Sequence, residues 1–195
     1  MTRTSTVVRK TKETQIEMTF TIDGSGKYDI ATGVGFLDHM LELFTKHGMF
    51  DMTLHCTGDT HVDAHHSVED IGIVLGMCIK EALGEKKSIV RYGSMMLPMD
   101  EVLALVSLDL SGRPFLQYKV DFANELVGDM ETELVEEFFR AVSTNAGMNL
   151  HIKLLEGGNN HHVTEAIFKA FAKALDQATK LDDRIDGVMS TKGSI

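Results

Sequence analysis

Cysteine is scarce in this chain of 195 residues. Cys56 and Cys78 are the only two, and their separation matches no metal-ligand spacing. Both are expected to be reduced core thiols, as in a cytosolic protein, and a disulfide-stapled scaffold is excluded. Proline is as scarce: only Pro98 and Pro114 occur, and no Ser/Gly-rich linker divides the sequence. Nothing marks the chain as a string of tethered domains. Basic clusters are missing too. With a formal net charge of −10, the chain has no electrostatic footprint for nucleic acid. An acidic surface still leaves room for a local basic pocket, so recognition of a phosphorylated small molecule stays open. No apolar run of about 18 residues occurs, and the N-terminal "MTRTSTVVRKTKET" has no apolar core. Neither a membrane span nor a secretory leader is expected, which makes a cytoplasmic location the expectation.

What the chain does have is histidine, arranged twice in the same way. "DAHHSVEDIGI" (63–73) and "NNHHVTEAIFKAF" (159–171) each carry HHxxE, and His65 and His161 lie 96 residues apart. The same interval separates His55 in "GMFDMTLH" from His151 in "GMNLH". Before each lies a helix-like stretch, "FLDHMLELFTKHG" (36–48) and "ELVEEFFRAVSTNAG" (133–147). Self-similarity of this kind marks an internal repeat. Strand-like alternation appears in "TSTVVRK", "TQIEMTFTI", "EVLALVSLDL" and "PFLQYKVDF", with turns at "DGSG" (23–26) and "SGRP" (111–114). The two longest helical patterns are "HHSVEDIGIVLGMCIKEAL", closed by Gly84, and "HHVTEAIFKAFAKALDQAT". The expected fold class is α+β: one internally duplicated domain over 1–195, with half-repeats 1–95 and 96–195. Each half is a sheet with helices packed on one face.

On a helix, residues i and i+4 share a face, whereas i+1 turns away by about 100°. His65 and Glu69 can therefore grip one metal ion, and His66 faces another; His161 with Glu165, and His162, repeat that geometry. A pseudo-twofold would then put Glu165, His161 and His66 on one ion and Glu69, His65 and His162 on a second. The repeat nominates two more ligands, since His39 in "FLDHML" aligns with Glu137 in "LVEEFF". Imidazoles with carboxylates suit Mn²⁺, Fe²⁺ or Zn²⁺, and open positions lean toward octahedral Mn²⁺. HHxxE is not the zincin HExxH, which weakens a metallopeptidase reading. His55 and His151 are read as packing or outer partners rather than ligands. His47 sits at a helix C-terminus, where a cation is favoured.

"GVGFLDHML", "DAHHSVEDIGI", "PMDE", "SGRP", "NNHHVTEAIFKAFAKAL" and the tail "STKG" together resemble the imidazoleglycerol-phosphate dehydratase family over about residues 8–193. That resemblance implies a duplicated α+β fold of the ribosomal protein S5 domain 2-like kind. It also implies two Mn²⁺ per active site, a 24-subunit homo-oligomeric shell, and sites between subunits. Many relatives carry a histidine in an EHFF-like run where this chain has Glu137 in "EEFF". Glutamate still ligates a hard divalent ion but adds negative charge.

The reaction so implied converts D-erythro-imidazole-glycerol phosphate to imidazole-acetol phosphate plus water. The proton to be lost has no adjacent carbonyl, so enolate chemistry is closed. Holding the ring as an imidazolate between two ions would expel the hydroxyl beside it as water and give a diazafulvene. Loss of the neighbouring proton then yields an enol, and from it the ketone. Glu13 in "RKTKET" matches the family's acid–base position, and Glu165 and His39 join it as candidate catalytic groups. For the substrate phosphate the candidates are Arg91, Arg113, Lys169 and the tail Ser190, Thr191, Lys192 and Gly193. Lys169 follows Glu165 by four residues, so a salt bridge within the helix is its alternative. Two other classes compete with a lyase. One is a metal-storage or metal-sensing module, which needs no anion clamp; the other is a dinuclear metallohydrolase.

Overall fold

The computed structural model describes residues 2–195. β1 (Thr4–Lys10), β2 (Thr14–Thr21), β3 (Tyr28–Ala31) and β4 (Asp51–Gly58) form the first sheet in the order β1-β2-β4-β3. β3 runs parallel to β4, and the other pairs are antiparallel. Helix α1 (Gly35–Gly48) makes the crossover that this parallel pair requires, and α2 (His65–Leu83) follows β4. The second half begins with β5 (Tyr92–Met99), β6 (Val102–Asp109) and β7 (Phe115–Lys119). It adds a small hairpin, β8 (Leu126–Val127) and β9 (Met130–Glu131), before α3 (Glu133–Ala146), β10 (Asn149–Glu156) and α4 (Asn160–Thr179). Its sheet order, β5-β6-β10-β7 with β7 parallel to β10, repeats that of the first. The duplicated α+β architecture follows directly.

Alternation builds the sheets. In β2, Ile16, Met18 and Phe20 are fully buried, while the residues between them face outward; Val102, Ala104, Val106 and Leu108 do the same in β6. Helical spacing builds the inner layers: Val163, Ala166, Ile167, Ala170, Phe171, Ala174 and Leu175 form the buried stripe of α4. Each sheet packs one face on the helices of its own half. The helices then meet across the halves, α1 on α4 and α2 on α3.

The two cross-half contacts are built differently. Phe44 of α1 stacks on Phe171 of α4 with ring centroids 5.4 Å apart. Between α2 and α3 the backbones themselves approach: a Cβ at Gly72 would fall 2.7 Å from the Phe138 carbonyl oxygen, and one at Gly76 2.7 Å from that of Val142. Only glycine fits there.

The segment joining the halves is 84–91, between α2 and β5; the approximate division at 95/96 falls just inside β5. Pro98 and three methionines in "YGSMMLPM" hide that strand from a pattern reading. β5 is an edge strand, where proline is tolerated. Among the described residues no helix is long and apolar enough to cross a membrane. Both thiols are free: Cys78 is in the core, and burial pushes it up to about 12, whereas Cys56 is only half-buried at the core's edge.

Candidate active site

The tightest constellation joins the two halves through a single carboxylate oxygen. His39, on the fifth position of α1, and His161, in the first turn of α4, bring their Nε2 atoms to 3.0 and 3.1 Å from Glu165 Oε1. Packing of α1 on α4 is what sets these rings together, and Phe36 supports His161 edge-on at 5.2 Å. The other Glu165 oxygen is held by Lys169, whose Nζ also lies 3.5 Å from Met99 Sδ. Burial would raise the Glu165 pKa. Hydrogen bonds from Lys169, His39 and His161 outweigh it and bring the carboxyl down to about 2. Asp129, in the β8–β9 turn, accepts from Gly35 N at 2.7 Å and Phe36 N at 2.9 Å. The hairpin added to the second half thus caps the helix that carries His39 in the first.

Within one chain, the third donor beside His161 and Glu165 is therefore His39 and not His66. His66 is turned elsewhere, with Nδ1 3.0 Å from Asp59 Oδ2 and Nε2 3.9 Å from Glu13 Oε1. The His65–Glu69 pair forms as the i,i+4 spacing dictates, though loosely, at 4.0 Å. His162 does not approach it. Its Nδ1 lies 3.0 Å from Glu101 Oε2 and its Nε2 3.8 Å from Asp100, a second group of three metal-capable side chains. Glu137 occupies the fifth position of α3, matching His39 in a helix of equal length. Its nearest charged partner is Arg140, at 3.6 Å, and Arg140 also binds Glu136. Within one chain His161 and Glu165 of α4 thus converge with His39 across the halves, whereas His65 and Glu69 of α2 find no such partner in Glu137.

Most of the residues read as phosphate candidates line one cavity. A cavity of about 360 Å³ is lined by Arg91, Arg113, Ser190, Thr191 and Lys192, with Ser111 beside them. Its cations are not equivalent. Arg91 is spent on structure: its Nε and Nη2 donate to Asp109 at 2.7 and 3.1 Å, and its Nη1 donates to the Met189 carbonyl. That fork ties the C-terminal tail to β6. Arg113 and Lys192 have no side-chain partner among the described residues, which leaves them to an anion. Lys169 does not line this cavity; its i,i+4 bond to Glu165 places it at the histidine cluster instead. Gly193 turns the tail with φ of 70°.

The sequence singles out three other histidines. His55 and His151 are exposed on the outer sheet faces, beside Asp29 at 3.7 Å and the Phe115 ring at 5.7 Å, because both fall on the outward phase of their strands. His47 is held below the usual imidazole range by burial first and by Lys169 and Lys173 next, against the favourable helix end. Asp59, Glu101 and Asp129 were not among the candidates read from the sequence. Glu101 stood in "PMDE" and Asp59 seven residues before His66, while Asp129 carries no local signal, since its partners are reached only through the fold.

No ligand or metal is needed to recognise the relatives of this arrangement. The family model described as imidazoleglycerol-phosphate dehydratase matches residues 32–175. The enzyme of that name from Acetivibrio thermocellus is 63% identical over 195 residues, covering all of both chains. That of Lachnoclostridium phytofermentans is 59% identical, also over the full length of both. Among solved structures, the dehydratase of Staphylococcus aureus superposes with a TM-score of 0.84 at 46% identity, covering 92% of this chain and 99% of that one. The one from Pyrococcus furiosus gives 0.84 at 38% identity, over 97% and 100%. A repeated HHxxE on the corresponding helices of the two halves, a basic cavity under the C-terminal tail and similarity over the full length agree: the chain belongs to the imidazoleglycerol-phosphate dehydratase family.

Proposed function

We propose that the chain removes water from D-erythro-imidazole-glycerol phosphate, giving imidazole-acetol phosphate, at a site that takes two Mn²⁺. The observation that carries the metal reading is the convergence of His39, His161 and Glu165, whose donor atoms all lie within 4.8 Å of one another. Two imidazole nitrogens and a carboxylate oxygen are a donor set that fits a divalent ion of the manganese, iron or zinc type. His65, His66, Glu69, Glu137 and His162 complete the proposed ligand set, with partners drawn from another copy of the chain. Such an ion, when bound, acidifies the substrate's imidazole ring and so helps the hydroxyl beside it to leave.

The protein's own groups do the rest. Arg113 and Lys192 hold the phosphate, with the hydroxyls of Ser190 and Thr191 beside them and Gly193 shaping the turn; Arg91 fixes the tail over them. Glu13, half exposed beside His66, takes the proton from the carbon next to the departing hydroxyl. His39 and Glu165 orient the ring from the side of the α1–α4 contact, and Lys169 keeps Glu165 ionised. The open cationic cavity favours this reading over metal storage, which needs no anion clamp. Exposed Val8, Tyr92, Met96 and Phe115 on the outer sheet faces support self-association, for which 24 copies is the proposed number. The proposed location is the cytoplasm. Purified, manganese-loaded protein incubated with the substrate is expected to release an enolisable ketone. Absence of product with metal loading verified would overturn the assignment.

A further inference from the structure

The second histidine of each HHxxE is gripped by a carboxylate through Nδ1, and the two halves do it with unrelated residues. Asp59, in the loop that follows β4, holds His66 at 3.0 and 3.2 Å through its two oxygens. Asp59 is itself fixed by a backbone bond from its N–H to the Glu13 carbonyl at 3.1 Å. In the second half the loop after β10 carries Gly157 and Gly158, with no acid. The grip comes instead from the β5–β6 turn, where Glu101 Oε2 lies 3.0 Å from His162 Nδ1 and Oε1 accepts from Asn159 N at 2.7 Å. Glu101 reaches across only because position 158 is glycine: a Cβ there would fall 2.3 Å from Oε1. Beyond each gripped ring stands a second, more exposed carboxylate on the Nε2 side, Glu13 at 3.9 Å from His66 and Asp100 at 3.8 Å from His162.

We infer that Asp59 and Glu101 are positioning residues that fix the tautomer of His66 and His162. Each holds the proton on Nδ1 and turns the Nε2 lone pair toward the ion, while Glu13 stays free for the substrate. The physical reason is that a neutral imidazole has one donor and one acceptor nitrogen. A carboxylate on Nδ1 compels that nitrogen to donate, so Nε2 is left as the only ligand atom. The same contact fixes the ring's rotation and makes Nε2 more basic. Outer-shell partners of this kind typically contribute 10–100-fold to metal affinity. Glu13, at the first-half turn matching that of Glu101, is released from this duty because Asp59 has taken it.

The inference rests on the metal site proposed above, and its test separates the two. Mn²⁺ is titrated into metal-free full-length protein, and free Mn²⁺ is read by electron paramagnetic resonance. Asp59→Ala and Glu101→Ala are expected each to weaken one class of Mn²⁺ sites about 10–100-fold. Asp59→Asn and Glu101→Gln, which keep an acceptor oxygen, should recover part of that loss. Glu13→Ala is expected to leave Mn²⁺ affinity unchanged while lowering kcat. In metal-free wild-type protein labelled with ¹⁵N-histidine, magic-angle-spinning spectra should show two rings protonated at Nδ1, and each alanine variant should lose one of them. Wild-type protein that binds no Mn²⁺ would overturn the metal site itself. Wild-type binding with unchanged affinity in folded Asp59 and Glu101 variants would overturn only the positioning role. So would an affinity loss in Glu13→Ala as large as theirs. Should the alanine variants not fold, unshifted ¹⁵N spectra and full affinity in the Asn and Gln variants would overturn the positioning role equally.

Discussion

The two HHxxE helices sit on four-stranded sheets of matching topology, yet the second helix gathers ligands across the halves and the first does not. In the second, His161 and Glu165 of α4 meet His39 within a single chain, and Lys169 pins the carboxylate from behind. In the first, His65 and Glu69 of α2 stand 4.0 Å apart, and Glu137 lies beside Arg140 instead of joining them. The position matching Lys169 in α2 is Ile73, so nothing anchors Glu69. The difference shows that a duplicated backbone does not by itself duplicate a site. Orientation comes from the neighbours one turn away, and those have diverged. A half-assembled set fits the proposed ligand shell shared between copies.

The largest effect should come from separating the copies. In the proposed assembly, ligands donated across a boundary make ion binding and association one linked equilibrium. Thorough chelation at neutral pH is expected to reduce the particle to smaller oligomers, and Mn²⁺ to restore it, as read by sedimentation. An unchanged large assembly after verified metal removal would contradict the shared-shell account.

Glu165→Ala should lower activity more than about 100-fold, beyond the range of outer-shell partners, because both His39 and His161 lose their common oxygen. Glu137→Ala is expected to lose one manganese class and most activity, whereas Glu136→Ala, removing only an Arg140 salt bridge, does neither. Glu137→His should stay active. Elemental analysis of the dialysed proteins decides this, and equal metal content in wild type and Glu137→Ala would return Glu137 to the surface charges.

Smaller and confined to binding, Arg113→Ala and Lys192→Ala should raise KM about 10–100-fold with metal content intact. A hydrogen bond to a charged group is worth about 1.5–3 kcal/mol. Lost metal with a normal KM would mean that the cavity is not the phosphate site. The smallest expected effect is on the acid stability of metal-free protein. Glu165 is held down to about 2, below its ordinary value of 4.5. Its folded form therefore binds the proton less readily than the unfolded chain does. The stability it contributes is complete above about pH 4.5 and disappears as pH falls toward 2. Glu165→Gln should flatten that part of the unfolding profile; an unaltered profile would deny the Lys169–Glu165–histidine network its stabilising role.

Much of this protein was legible in its residues alone. The repeat interval, the apolar stripe of α4, the alternation of β2 and β6, and the family resemblance all depend on order along the chain, because helix and strand periods are local properties. The i,i+4 relations of His65 with Glu69 and of His161 with Glu165 are of the same kind, and so is the salt bridge that claimed Lys169. β5 was hidden because an edge strand tolerates a proline and need not alternate cleanly. What only the tertiary structure decided is every choice between distant partners. His39 rather than His66 meets Glu165, because α1 and not α2 lies on α4. Arg91 is spent on Asp109, leaving Arg113 and Lys192 as the free cations. Glu101 and Asp129 acquire their roles only when turns far in sequence from the helices they serve close over them, and Asp59 only when the β4–α2 loop folds back on its own helix. A hydrogen bond depends on distance and angle, and for residues remote in sequence those are set by how the layers pack.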